Sequence, residues 1–212
     1  MPGFAPEGYP FIGGAFILFT IVLYFTGNVF YNAVPFTVFL FMLYFFRDPD
    51  RDIPPDEFAI VSPADGKILA ITEVFEDTFL KEQVRKISIF MSPLNVHVNR
   101  APLAGKVKTV VHKAGSFKKA FLEEASIKNE NISMVIETKI GNILVRQVAG
   151  ALARRAVCRV SPGDLLERGQ RYGIIKFSSR VDLYLPLNVD VVVRKDMKVL
   201  AGETIIARFD KK

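Results

Sequence analysis

Two adjacent serines, Ser178 and Ser179, stand between two apolar, β-branched runs. The segment reads Gly-Ile-Ile-Lys-Phe-Ser-Ser-Arg-Val-Asp-Leu-Tyr-Leu-Pro over residues 173–186. Such runs on both sides of a short polar step predict two strands joined by a tight turn. A serine hydroxyl in a turn of this kind can attack the carbonyl just before it when a base takes its proton. The pattern therefore predicts a serine nucleophile directed at its own backbone.

The chain has two histidines, and His97 is the stronger candidate for the base. Strand alternation places Asn95, His97 and Asn99 on one face, with two valines on the other. A structural role is the commoner one for a histidine, but a polar stripe in an otherwise apolar chain favours a site. His112 has a weaker claim, as a helper or a surface residue.

Asp65 lies in the sequence Ser-Pro-Ala-Asp-Gly at residues 62–66. Asp-Gly is a common turn, so propensity favours a purely structural role. If this turn faces His97, the carboxylate can orient the imidazole and raise its basicity, as in a Ser-His-Asp arrangement. Two well-separated histidines give no metal-ligand spacing, and no glycine-rich phosphate loop followed by Lys-Ser/Thr is present.

Residues 8–46 contain no charged side chain. This tract predicts a membrane-associated helical hairpin over residues 1–46, with helices at Phe11–Thr26 and Ala33–Phe46. Turn formers at 27–28 and 31–32 separate the two helices, and the hairpin either crosses the bilayer twice or dips in and returns. A buried pair of globular helices is the alternative. Because basic residues follow at once, the positive-inside rule predicts that the rest of the chain lies in the cytoplasm. The predicted location is the cytoplasmic side of the cell inner membrane.

A charged, proline-rich linker at 47–57 precedes a β-rich catalytic domain at 58–212. Its one convincing helix begins near Ser116. Several P-x-x-G turns resemble those of biotinyl and lipoyl carrier domains, so the predicted fold is a mainly β barrel–sandwich hybrid. A carrier function is disfavoured, because the lysines after these glycines open strands and do not sit at hairpin tips. The predicted strands are Ile60–Val61, Lys67–Phe75, Val84–Met91, Gly105–His112, Ser133–Thr138, Asn142–Val148, Ala156–Arg159, Gly173–Phe177, Asp182–Leu185, Val189–Arg194 and Glu203–Ala207.

Charge is concentrated after the apolar tract. Residues 47–212 contain all 28 Lys and Arg and 21 of the 22 Asp and Glu. A basic domain beside an apolar tract suggests an anionic membrane surface as partner; a solvated basic surface is the alternative. Cys158 is the only cysteine, which excludes an intrachain disulfide and suggests a small core residue.

Seven segments in order resemble the short-form phosphatidylserine decarboxylases, with archaetidylserine enzymes as a close variant. The segments are Phe46-Arg-Asp-Pro49, Ser62-Pro-Ala-Asp-Gly-Lys67, Ser92-Pro-Leu-Asn-Val-His97, Gly115-Ser-Phe-Lys-Lys-Ala120, Asn129-Glu-Asn131, Val148-Ala-Gly-Ala-Leu-Ala-Arg-Arg155 and the serine turn.

The resemblance implies a pyruvoyl enzyme made from its own chain. Attack by Ser179 on residue 178 yields a long chain, 1–178, and a short chain, 179–212, that begins with a pyruvoyl group. The implied catalytic residues are Ser179, His97 and Asp65, with Ser178 and Ser179 at the cleavage site. The implied reaction converts phosphatidylserine to phosphatidylethanolamine.

The resemblance also implies a lipid-phosphate site and a homodimer, and no nucleic-acid partner. A helix starting near Ser116 would present free N–H groups to the phosphate. His112, Ser116, Lys118 and Arg155 are the candidate substrate-binding residues.

Two positions depart from the family pattern. Arg100 stands where longer bacterial members have a second histidine, and Ser178 replaces a glycine. Serine adds a Cβ that disfavours positive φ, so slow or absent processing is predicted. The alternative is a non-catalytic, membrane-anchored relative that binds the lipid.

Overall fold

The computed structural model describes residues 3–115, 129–150, 155–176 and 179–210. The chain divides into two compact units, Met1–Asp50 and Arg51–Lys212. The helix predicted to begin near Ser116 lies outside the described residues.

The first unit is a helical hairpin, as predicted. Its elements are β1 (Gly3–Phe4), a 3-10 turn (Pro6–Gly8), α1 (Tyr9–Thr26), α2 (Val29–Phe45) and β2 (Arg47–Asp48), and β1 pairs with β2. Gly27 ends α1 in the left-handed region, at φ 56°. The side chain of Asn28 then caps α2 by accepting from the amide of Phe30 at 2.9 Å. The second predicted turn, at 31–32, was wrong, because this cap starts the helix earlier.

Large apolar side chains cover the outside of this hairpin. Tyr24, Phe25 and Phe30 are 83%, 78% and 87% exposed. Residues Pro6–Thr26 are long and apolar enough to cross a membrane, whereas α2 is shorter. Length and composition alone therefore give weak support to a membrane association.

The second unit is mainly β, which confirms the predicted fold class. An eight-stranded antiparallel sheet has the order β11-β7-β8-β9-β13-β5-β4-β15, and two three-stranded sheets have the orders β10-β12-β6 and β14-β16-β3. The strands are β3 (Ala59–Val61), β4 (Gly66–Glu76), β5 (Glu82–Met91), β6 (Val98–Arg100), β7 (Gly105–Lys113), β8 (Asn131–Thr138), β9 (Gly141–Ala149), β10 (Ala156–Cys158), β11 (Leu165–Leu166), β12 (Arg171–Ile175), β13 (Ser179–Pro186), β14 (Asp190–Val191), β15 (Lys198–Val199) and β16 (Ile205–Arg208).

Alternation along β13 shows how the large sheet is buried on both faces. Val181, Leu183 and Leu185 belong to the main hydrophobic core. Tyr184, on the opposite face, belongs to a second apolar cluster. The sheet therefore curls around a core on one face and covers part of the other.

Several strands that are distant in sequence begin or end along the same side of this sheet. Strands β4, β8 and β13 begin at this edge, and β5, β7 and β9 end there, because each is antiparallel to its neighbours. We call it the serine edge, since β13 begins with Ser179. Segments that follow or precede these strand ends are brought together at this edge.

Close backbone packing at the serine edge predicts a strong effect of a small substitution. A Cβ on Gly66 would lie 2.1 Å from the carbonyl oxygen of Phe90. We therefore expect Gly66→Ala to lower the free energy of unfolding by about 1–3 kcal/mol, measured by urea denaturation in detergent. Gly13→Ala is the control, because no atom lies within 4 Å of its Cβ position. Equal stability of the two variants would contradict the expectation.

Candidate active site

Ser179 is fully buried at the first position of β13. Its backbone pairs with Ala149 of β9 on one side and with Met91 of β5 on the other. Because alternate residues share a face, its side chain points the same way as that of Val181, into the core. Its hydroxyl donates to Sδ of Met91 at 3.4 Å. The predicted nucleophile is therefore held away from bulk water at the end of a central strand.

His97 is also fully buried, and it lies beside the strand that leads to the serine. Its carbonyl accepts from the amide of Ile175 at 3.3 Å, four residues before Ser179. Its Nδ1 lies 2.9 Å from the carbonyl oxygen of Asn95. Since a carbonyl only accepts, Nδ1 carries the hydrogen, and in the neutral ring Nε2 has the basic lone pair. The local geometry thus selects the tautomer that a base requires.

The polar stripe predicted around His97 divides into two different environments. Oδ1 of Asn95 accepts from the amide and the hydroxyl of Ser92, both at 2.9 Å, and so stabilises its own loop. Asn99 instead enters the core, where its Nδ2 donates to Sδ of Met91 at 3.8 Å. The thioether of Met91 therefore lies between the amide of Asn99 and the hydroxyl of the serine.

Gln147 completes this buried polar group and was missed by the sequence analysis. Its Nε2 donates to Oδ1 of Asn99 at 2.8 Å. Its Oε1 is buried without a hydrogen-bond partner among the residues that the structure describes. The available signal was a polar residue at a core position of β9, where Ile143, Val145 and Ala149 are apolar. A buried acceptor without a partner is uncommon, and the described residues supply no donor for it.

Asp65 immediately precedes β4 at the serine edge and is 3% exposed. Nη2 of Arg51 donates to both of its carboxylate oxygens, at 3.0 and 2.8 Å, and the amide of Ala201 donates to Oδ1 at 2.7 Å. The carboxylate is thus buried as part of an ion pair. Its orientation of His97 stays a prediction. Arg51 was assigned only to the linker by the sequence analysis, which had no local signal for this contact.

Arg100 is the residue that the family resemblance matches to the second histidine of longer members. It is buried, and its Nη1 donates to the carbonyl of Gly169 at 3.0 Å. This contact links β6 to the turn before β12. The hydrogen bond from Arg100 to Gly169 therefore has a structural role.

Two of the four candidate substrate-binding residues, His112 and Arg155, lie within the described residues. His112 is exposed near the end of β7, with its Nε2 3.1 Å from a carboxylate oxygen of Glu130. Arg155 is exposed, and its carbonyl accepts from the amide of Lys176 at 3.2 Å, three residues before the serine. Ser116 and Lys118, like Ser178, lie outside the described residues.

A cavity of about 670 Å³ opens on the face of the large sheet that bears Arg146 and Tyr184. His112 lines it, together with Lys113 and Ser133. Neither Ser179, His97 nor Asp65 does. The chemistry-bearing residues on the core face are therefore distinct from this cavity.

Cys158 packs against the main core from β10, which agrees with its predicted role as a small core residue. Burial raises the pKa of its thiol, so the group stays protonated. The pKa of the neighbouring Tyr172 hydroxyl is also raised by burial, well above its usual value. Both groups are neutral at physiological pH, and neither adds charge to the site.

Comparisons with known proteins identify relatives over nearly the whole chain. The family model for phosphatidylserine decarboxylase matches residues 38–207. The chain is 45% identical over 210 residues to a phosphatidylserine decarboxylase proenzyme of Nitrosomonas eutropha, covering 98% of this chain and 96% of the relative. It is 46% identical over 208 residues to the proenzyme of Geobacter metallireducens, covering 95% and 94%. It is 42% identical over 211 residues to that of Anaplasma phagocytophilum, covering 99% and 92%.

These matches indicate an enzyme of the carboxy-lyase class. The chain belongs to the phosphatidylserine decarboxylase family, as its sequence motifs predicted.

Proposed function

We propose that this chain decarboxylates phosphatidylserine to phosphatidylethanolamine by means of a pyruvoyl group made from Ser179. The observation that supports it most is the buried hydroxyl of Ser179, one residue after the peptide carbonyl that it must attack. The backbone hydrogen bond between Ile175 and His97 supports the same assignment, since it holds the backbone of His97 beside the segment that leads to the serine. The names of the relatives agree with this reaction.

The self-processing step needs only the residues of this chain and water. Oγ of Ser179 adds to the carbonyl carbon of residue 178, and the amide nitrogen of residue 179 leaves, so that an ester replaces the amide. Nε2 of His97 takes the hydroxyl proton and passes it to the leaving nitrogen. Removal of the Cα hydrogen of residue 179 then expels the carboxylate of residue 178 and leaves an enamine. A proton added to Cβ converts the enamine to an imine, and water replaces the nitrogen, which departs as ammonia.

The surroundings of Ser179 fit the pyruvoyl group that these processing steps produce. Sδ of Met91 contacts the serine side chain at 3.4 Å. A thioether packs against a methyl group as readily as it accepts a hydroxyl. Once formed, the pyruvoyl group would supply a carbonyl able to take the substrate amine and to accept the electron pair left by carbon dioxide. His97 would be the donor of the proton that the carbon then needs.

Ser178 is expected to slow the processing step. A glycine at this position can adopt positive φ and leaves its carbonyl open to attack, whereas serine adds a Cβ. We expect Ser178→Gly to release the fragment 179–212 at least about tenfold faster, because that fold-change needs only about 1.4 kcal/mol of backbone strain. A time course on a denaturing gel measures the release. Equal rates for the two chains would contradict this explanation, and an intact chain in both cases would overturn the proposed function.

A non-catalytic lipid-binding relative is the second candidate, and the serine at position 178 is what favours it. A carbonyl-reactive hydrazine separates the two. It labels a fragment that begins with a pyruvoyl group and leaves an uncleaved chain unlabelled.

We further propose that the protein acts as a homodimer on the cytoplasmic side of the inner membrane, at an anionic surface. The exposed aromatic residues of α1 and α2 and the basic charge of residues 47–212 support the membrane part of this proposal. The homodimer rests on the family resemblance. The candidate phosphate-binding residues His112, Ser116, Lys118 and Arg155 belong to the same proposal. Flotation with phosphatidylserine vesicles tests the membrane contact, and unchanged flotation with neutral vesicles would argue against an anionic partner.

A further inference from the structure

Residues 51–57, which we call the strap, run between the hairpin sequence and the first strand of the β unit. Its first residue, Arg51, has a side chain that is only 7% exposed. Nη2 of Arg51 lies 3.0 and 2.8 Å from the two oxygens of Asp65. Its Nη1 lies 3.5 Å from the carboxylate of Glu203. An arginine of the apparent linker is therefore buried against a candidate catalytic carboxylate.

The hydrogen bonds around Asp65 fix the carboxylate in its ionised form. Oδ1 accepts from Arg51 and from the amide of Ala201, and Oδ2 accepts from Arg51. Each of these bonds uses a lone pair of the carboxylate. All three are acceptor roles, so a protonated acid would lose at least one of them. The carboxylate is therefore held by Arg51 of the strap together with the amide of Ala201.

Contacts that do not involve Arg51 hold the strap in place. Ile53 packs closely against Gly169 and Gly202. A Cβ added to Gly169 would lie 2.2 Å from Cδ1 of Ile53, and a Cβ added to Gly202 would lie 3.0 Å from it. Arg168 donates to the carbonyls of Pro54, Asp56 and Ala59. Arg208 pairs with Asp56 at 3.1 Å. Loss of the Arg51 side chain therefore leaves the strap attached.

We propose that Arg51 is a positioning residue for self-processing, acting through Asp65. By fixing the carboxylate of Asp65 in one position at the serine edge, Arg51 keeps it in the orientation from which Asp65 is predicted to orient the imidazole of His97, the group that takes the proton of Ser179. This inference rests on the proposed function. It adds to the reaction a residue that lies in the strap and does not touch the reacting atoms.

The test is a set of full-length variants in the Ser178→Gly background, with release of the fragment 179–212 as the readout. Arg51→Gln removes the charge and should slow release by about 100-fold, the effect of a displacement of about 1 Å in a catalytic array. Arg51→Lys keeps the charge without the fork and should recover about tenfold of that loss. Arg208→Gln removes the other Arg–Asp pair of the strap and should process at the parent rate. Circular dichroism and thermal melting check that each variant is folded.

A double-mutant cycle separates positioning from strap attachment. If Arg51 acts through Asp65, the chain with both Arg51→Gln and Asp65→Asn is no slower than Asp65→Asn alone. The double variant also carries no unpaired buried carboxylate, so it remains informative if Arg51→Gln fails to fold. Additive slowing, or a folded Arg51→Gln chain that cleaves at the parent rate, overturns the inference. Parent-rate cleavage of Asp65→Asn overturns the role of Asp65 and this inference with it. No cleavage in the Ser178→Gly parent overturns the proposed function as a whole.

Discussion

A Ser179→Ala chain is expected to stay intact and to remain unlabelled by a carbonyl-reactive hydrazine. The substitution removes the only atom that can exchange the amide for an ester at this peptide bond, while the methyl side chain still fits beside Met91. The expected loss is complete on the timescale in which the Ser178→Gly parent releases its fragment. Mass spectrometry of the intact chain, together with the labelling reaction, measures both outcomes.

Ser133→Ala provides a matched control for this experiment. Ser133 is a buried serine of the same sheet, and its Oγ accepts from Nε of Arg146 at 3.0 Å. Its loss removes a buried hydroxyl on the opposite face and should leave cleavage within about twofold of the parent, since effects on stability away from the site rarely enter the chemical step. Release of the fragment 179–212 from the Ser179→Ala chain would end the assignment of the nucleophile.

The second large effect is expected at His97. Replacing it with glutamine keeps a hydrogen-bond donor for the carbonyl of Asn95 but removes the titratable nitrogen. We expect the release of the fragment 179–212 to slow by about 10²- to 10⁴-fold, the usual contribution of a general base. A gel time course in the Ser178→Gly background measures the rate.

Chemical rescue distinguishes a base from a packing residue at this position. His97→Gly leaves a cavity where the buried ring lay, and added imidazole should restore part of the cleavage rate. Added benzene is the matched control, because it can fill a cavity but cannot accept a proton. Parent-rate cleavage by the His97→Gln chain, or equal rescue by both compounds, would show that the ring acts only by filling space.

Much of the fold could be predicted because strand patterns are local. Alternating and apolar runs located most of the long strands, and the P-x-x-G turns indicated the barrel–sandwich class. Element ends were less accurate: the sequence predicted a strand at Val189–Arg194, whereas β14 covers only Asp190–Val191. Propensity extends a strand for as long as the residue types allow, but pairing with β16 ends it after two residues.

Single residues around the site show the same limit. The sequence placed Asn95 and Asn99 on one face of a strand, yet Asn95 bonds to its own loop and only Asn99 enters the core. The strand β6 begins at Val98, so alternation does not apply to the residues before it. Arg51 looked like one of several linker charges, because nothing in a charged, proline-rich sequence distinguishes a solvated arginine from a buried one.

Residue types at short, fixed spacings were enough to predict the family and the mainly β character, and they also predict Ser179 as the nucleophile. They do not predict which distant strand ends meet at the serine edge, which depends on the packing of the whole chain. The order β7-β8-β9-β13-β5-β4 sets Ser179 between Met91 and Ala149, and it collects Gln147, Asn99 and the Arg51–Asp65 pair from separate parts of the chain. Such neighbours are fixed by how whole strands bury their apolar faces against one another, and no local pattern encodes that choice.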